Sequence, residues 1–144
     1  MDVRELGSVA EDAARDDLRR IGLQGLLDVL AARPGERPEE VLLDLKLVDE
    51  RNLALSLSLH SGRPFRGLRR FEPDHRLFLY VPIHVAQRER VVPLELVDDT
   101  LTIASAYLDP ELGFLASRFP GLRVRLVVSP RREIMEALQR VGGA

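Results

Sequence analysis

Cysteine is absent from the 144 residues, which removes disulfides, thiolate catalysis and cysteine-ligated zinc together. That is compatible with a reducing compartment. Tryptophan is missing too, and lysine occurs once, at Lys46, so nearly all positive charge is arginine. We read that bias as the codon usage of a GC-rich bacterial genome, not as chemistry. No run approaches the roughly 20 apolar residues that cross a bilayer. The N-terminal stretch MDVRELGSVAEDAARDD is acidic and lacks the apolar core of a signal peptide. A cytoplasmic protein with no direct membrane insertion is expected. The net charge of -2 argues against a nucleic-acid partner, which calls for a basic surface.

What is present reads as a two-part α+β chain: a small N-terminal helical subdomain over residues 1-62, an arginine-rich linker at 63-73, and an α/β subdomain over 74-144. Met1 to Asp17 is highly charged with few large apolar groups, so fraying is expected there. From Leu18 to Ala32, Leu23, Leu26, Leu27 and Leu30 follow helical spacing and make one apolar stripe. Pro38 suits the first turn of a short second helix with Val41, Leu42 and Leu45 inward. Asp49 is placed to cap a third helix running to about Leu59 and stopping near Ser61-Gly62. In that helix LALSLSLH alternates like a strand. It contains no β-branched or aromatic residue, however, and leucine and alanine favour helix.

The second half carries the clearest local signals. Asp74 to Tyr80 and Ile83 to Glu89 read as short helices around the Val81-Pro82 break. Leu94 and Leu96 alternate with Glu95, and Leu101 and Ile103 alternate with Thr100, Thr102 and Ala104, with Asp98-Asp99 as the polar turn of a hairpin having one buried face. Asp109-Pro110 has the form of a cap followed by a first helical residue, opening a helix that buries Leu112, Leu115 and Phe119. Leu122 to Val128 reads as a third strand with Leu122, Val124 and Leu126 inward. Ser129-Pro130 repeats the cap-and-proline device before a closing helix with Ile134, Leu138 and Val141 inward.

Taken in order from Gly35 to Arg140, these signals resemble the N-terminal domain of type II secretion and type IV pilus assembly ATPases, the MshEN or secretion-ATPase N-terminal domain family. Leu47-Val48-Asp49, Gly62-Arg63-Pro64-Phe65 and Phe71-Glu72-Pro73-Asp74 are similar to its helical half. Tyr80-Val81-Pro82, Val91-Val92-Pro93-Leu94, Asp99-Thr100-Leu101-Thr102-Ile103-Ala104 and Asp109-Pro110 are similar to its α/β half. The resemblance implies a non-enzymatic adaptor that docks other protein components of a secretion, pilus or motility machine, with recruitment to the inner membrane through such a partner. It does not imply ATP hydrolysis in this chain. A phosphate-binding loop needs glycines beside its lysine, and Lys46 sits in DLKLV.

Some members of the family bind cyclic di-GMP through arginine-leucine-glycine segments followed by spaced leucines. Arg37, Leu42, Leu47, Leu53 and Leu57 fit that pattern. Pro38 and Glu39 stand where the leucine-glycine pair is needed, Lys46 replaces a second glycine, and His60 replaces a terminal glutamine. Close backbone approach to a nucleotide favours glycine, so cyclic di-GMP sensing through Arg37, Arg63 and Arg66 is the alternative reading, and no cofactor is expected under the main one.

Arg63, Arg66, Arg69 and Arg70 offer planar, bidentate donors for acidic partner side chains or phosphate. The plainer account is a solvated linker balancing nearby acids. His60, His75 and His84 lack zinc-ligand spacing, and Ser61, Ser105 and Ser117 lack a nucleophile-elbow motif. Tyr107, Leu108 and Phe114 could cover the sheet or form a docking patch; Phe119 reads as core.

Overall fold

The computed structural model describes residues 35–142. The acidic start and the leucine-striped helix expected at Leu18 to Ala32 lie outside the described residues. The described residues begin with two short helices, α1 (Pro38–Asp44) and α2 (Glu50–Ser61). A 3-10 turn at His75–Leu79 and helix α3 (Ile83–Glu89) lead into strand β1 (Val91–Val97). Strand β2 (Thr100–Ser105), helix α4 (Phe114–Arg118), strand β3 (Arg123–Val128) and helix α5 (Arg131–Gly142) complete an α+β fold.

Local chemistry accounts for most of these boundaries. The Asp49 carboxylate accepts from the Asn52 N–H at 3.0 Å and starts α2. Gly62, at φ +74, ends α2 in a left-handed turn that a side chain would strain. Asp74 caps the 3-10 turn through the Arg76 N–H at 3.0 Å.

The sheet runs β1-β2-β3. β1 pairs antiparallel with β2, and β2 pairs parallel with β3 in the register Leu101↔Val124 and Ile103↔Leu126. A register shift between Pro93 and Glu95 bulges β1 at Leu94. Central position buries β2 on both faces from Leu101 to Ser105, so Thr102 and Ala104 are as enclosed as their neighbours. The expected alternation with one buried face therefore fails in this strand. It fails also at Leu96 and Val124, which share the face of Leu101 but lie at the open end of the sheet, 36% and 42% exposed.

Two further expectations are corrected. No helix starts at Asp109-Pro110; α4 begins at Phe114, and Asp109 is exposed with its carbonyl taken by Arg37. On α1 the inward residues are Val41, Leu42 and Leu43, while Leu45 falls at the helix end and is exposed.

Among the described residues, buried apolar side chains form two clusters. The larger joins Leu68, Leu77, Val81 and Val85 to the sheet and to Ile134 and Leu138 of α5, with Phe119 partly buried against it. The smaller contains Leu42, Leu43, Val48 and Leu53, with Leu47 and Leu57 packed on it. The arginine-rich stretch follows the edge of β3: Phe65 bridges Val128 in parallel, the Arg66 N–H donates to the Val128 carbonyl, and the Val128 N–H donates to the Pro64 carbonyl, both at 2.8 Å. Leu68 then enters the larger core with 1% exposure.

Candidate functional site

The densest polar arrangement among the described residues lies where α1 and the start of α2 meet the α/β half. Pro38 opens α1 and sets the following carboxylates on the first turns. The Glu39 carboxylate accepts from the Leu108 N–H at 2.9 Å. Glu40 accepts from the Tyr107 hydroxyl, from Arg90 and from Arg131. Arg131, the first residue of α5, also reaches Asp44 at 3.0 Å and Glu50 at 3.2 Å, and the Arg132 N–H donates to Glu50 at 3.3 Å.

Arg37, just before α1, completes the seam. Its guanidinium lies 4.3 Å from the centre of the Tyr107 ring, donates to the Asp109 carbonyl at 2.8 Å and pairs with Glu89. Glu89 is 3% exposed, which a carboxylate tolerates only with partners on most of its lone pairs. Those partners are Arg37, the Glu111 N–H at 2.8 Å and the adjacent Arg88 at 3.0 Å. Burial pushes the Glu89 carboxyl up, but the Glu111 N–H and the two arginines outweigh it and hold the group below the usual carboxylate range. Burial and the hydrogen bond to Glu40 raise the Tyr107 phenol well above its ordinary value. Desolvation pulls the Arg131 guanidinium down, yet Asp44, Glu40 and Glu50 leave it raised, so it stays cationic. Its Nε is buried with no partner among the described residues.

The linker arginines are placed differently from one another. Arg63 is half-buried and donates to the Leu108 carbonyl at 2.5 Å. Arg66, Arg69 and Arg70 are exposed, Arg70 in a left-handed backbone conformation at φ 61. Arg69 lies on the wall of an open groove of about 1330 Å³ with Asp44, Lys46, Glu50, Arg131 and Glu136. Charges of both signs line it. His60, His75 and His84 are all exposed, and no cluster able to hold a metal occurs among the described residues. Ser105 is buried and its hydroxyl donates to the Tyr107 carbonyl at 2.7 Å; Ser129, expected as a cap, donates to the Arg66 carbonyl at 2.6 Å. Tyr107 is core, whereas Leu108, Phe114 and Phe119 are half-buried.

Sequence reasoning singled out Arg37 and the linker arginines. It missed Glu40, Glu89, Arg90 and Arg131, whose contacts span 50 to 91 residues of chain and leave no local spacing to read.

These features define an α+β fold in which α1 and α2 meet the sheet-bearing elements along a line of polar contacts. Residues 61–144 match the MshEN domain, so the chain belongs to the MshEN family, the secretion-ATPase N-terminal domains. No curated protein matches the chain. Among solved structures, the N-terminal domain of XpsE is similar over 91% of this chain and 94% of its own, with a TM-score of 0.69 and 23% identity. A second crystal form of that domain gives 0.56 at 20% identity, over 97% of this chain and 86% of its own. A structure of MshE with cdg gives 0.63 at 23% identity, over 88% of this chain and 96% of its own. At such identities the likeness establishes the fold. No helix among the described residues is long and apolar enough to cross a membrane.

Proposed function

We propose that this domain is a non-enzymatic adaptor that docks onto other protein components of a secretion or pilus machine, and that Arg66, Arg69 and Arg70 carry the contact. The observation that carries this reading is membership of the MshEN family over the linker and the α/β half. Exposure of those three guanidinium groups supports it, because bidentate donors free of the core suit acidic partner side chains. Arg63 holds the linker to the Leu108 carbonyl and orients its neighbours. The domain works in the cytoplasm and reaches the inner membrane through its partner. The test is affinity capture from native cells, with an Arg66/Arg69/Arg70→Glu variant beside the unaltered chain. Secretion or pilus components recovered by the unaltered chain alone support both the adaptor and its surface; recovery by neither removes the reading.

Cyclic di-GMP sensing is the second reading, favoured by the fold shared with MshE, which was solved with cdg. Arg37, Arg63 and Arg66 would serve it. Against it, Arg37 is engaged by Glu89, Asp109 and Tyr107, and Glu39 and Lys46 occupy positions where glycine would let a nucleotide approach. Calorimetry with cyclic di-GMP at high protein concentration decides: no heat removes this reading.

A further inference from the structure

We propose that α1 and α2 form one detachable arm, latched to the α/β body by Arg131, and that the arm undocks without unfolding either piece. Three observations carry this. First, the two apolar clusters are separate, so the arm keeps Leu42, Leu43, Val48 and Leu53 together whether or not it is docked. Second, polar contacts crowd the seam: Arg37 to Glu89, Glu39 to the Leu108 N–H, Glu40 to Tyr107, Arg90 and Arg131, and Asp44 and Glu50 to Arg131. Third, the contacts converge on one side chain. Arg131 holds three carboxylates, two from α1 and one from the first turn of α2, so removing one cation takes a partner from all three, while Glu40 keeps Tyr107 and Arg90 and Glu50 keeps the Arg132 N–H.

Such a seam differs from a core in how it opens. Ion pairs with an exposed member, such as Arg131 with Asp44, weaken as salt rises, whereas apolar contacts do not weaken with moderate salt. Undocking returns the carboxylates of Glu40, Asp44 and Glu50 to water, which solvates them well, and leaves both apolar clusters intact. The separation therefore costs far less than unfolding and depends on ionic strength. This device does not rest on the adaptor reading, since it concerns the free chain.

Native-state hydrogen exchange on the full chain tests it. In Arg131→Gln, the amides of Leu108 and Arg132, which donate across the seam to Glu39 and Glu50, are expected to lose protection together, on the order of tenfold, a factor that corresponds to about 1.4 kcal/mol. The amides of Leu53, bonded to the Asp49 carbonyl within the arm, and of Ile103 in β2 keep their protection. Raising salt to the molar range in the unaltered protein moves the Leu108 and Arg132 amides in the same direction. A variant carrying Glu40→Gln and Asp44→Asn breaks the latch from the arm side and serves if Arg131→Gln does not fold. The proposal is overturned if the Leu108 and Arg132 amides and Ile103 change together, which means a single cooperative unit. It is equally overturned if Leu53 loses protection along with them, which is unfolding of the arm, or if no amide changes.

Discussion

Arg131 and Glu40 meet across 91 residues of chain, the first residue of the last helix pairing with a first-turn carboxylate of α1. The same carboxylate takes the Tyr107 hydroxyl and the Arg90 guanidinium. One glutamate thus joins α1 to three separate parts of the fold. The other contacts of the seam are arranged around it.

Tyr107 makes the seam sensitive to alkali. Its folded-state pKa is raised by burial and by Glu40, so the stability it contributes is fully present below the unfolded phenol value of about 10 and is lost as pH rises toward the folded value. Unfolding measured from pH 8 to 11 should show a decline that Tyr107→Phe diminishes. An identical decline in the variant would assign it to other groups.

Glu89 acts at the opposite end of the scale. Its folded-state pKa is depressed, so it stabilises the fold above the unfolded carboxyl value of about 4.3, and that contribution disappears as pH falls through the folded value. Glu89→Gln should lower stability at neutral pH and flatten the acid limb of the denaturation profile. A variant with an unchanged acid limb would contradict this.

Leu101 and Phe119 separate a true core position from a covering one. Leu101 is fully buried in the central strand, and Leu101→Ala should cost about 2–5 kcal/mol. Phe119 is half-buried, with its ring centre 4.7 Å from that of Tyr80. Phe119→Ala should cost less, about 1–2 kcal/mol, because less apolar surface returns to water. Denaturant midpoints give both values, and a larger loss at Phe119 would reverse the ranking.

Val124 tests the exposed end of the sheet. Despite its place in an alternating strand it is 42% exposed, so Val124→Thr should change stability by no more than about 0.5 kcal/mol. A loss of about 2 kcal/mol, the lower bound for a core truncation, would mean that the residue is covered.

Local chemistry was legible in the chain. Asp49, Gly62 and Asp74 act within a few residues of themselves, and composition against periodicity correctly made Glu50–Ser61 a helix despite its alternating leucines. Alternation misled where tertiary placement decides burial: β2 is enclosed on both faces by its central position, and Leu96 and Val124 lie beyond the cover of the helices. Asp109-Pro110 has the form of a helix start, but Arg37 binds the Asp109 carbonyl and the helix waits until Phe114. The candidate site was half legible. Its arginines announced themselves by density in the linker, whereas the Glu40 and Arg131 contacts arise only when the chain folds back on itself.

The adaptor account is tested most directly by replacing Arg69 with a photo-crosslinking amino acid in the full chain in living cells, with the same substitution at exposed Ser117 as the control. The account predicts a crosslinked adduct from position 69, absent from position 117, containing an inner-membrane component of a secretion or pilus machine. Adducts of equal yield from both positions, or none from position 69, would contradict it.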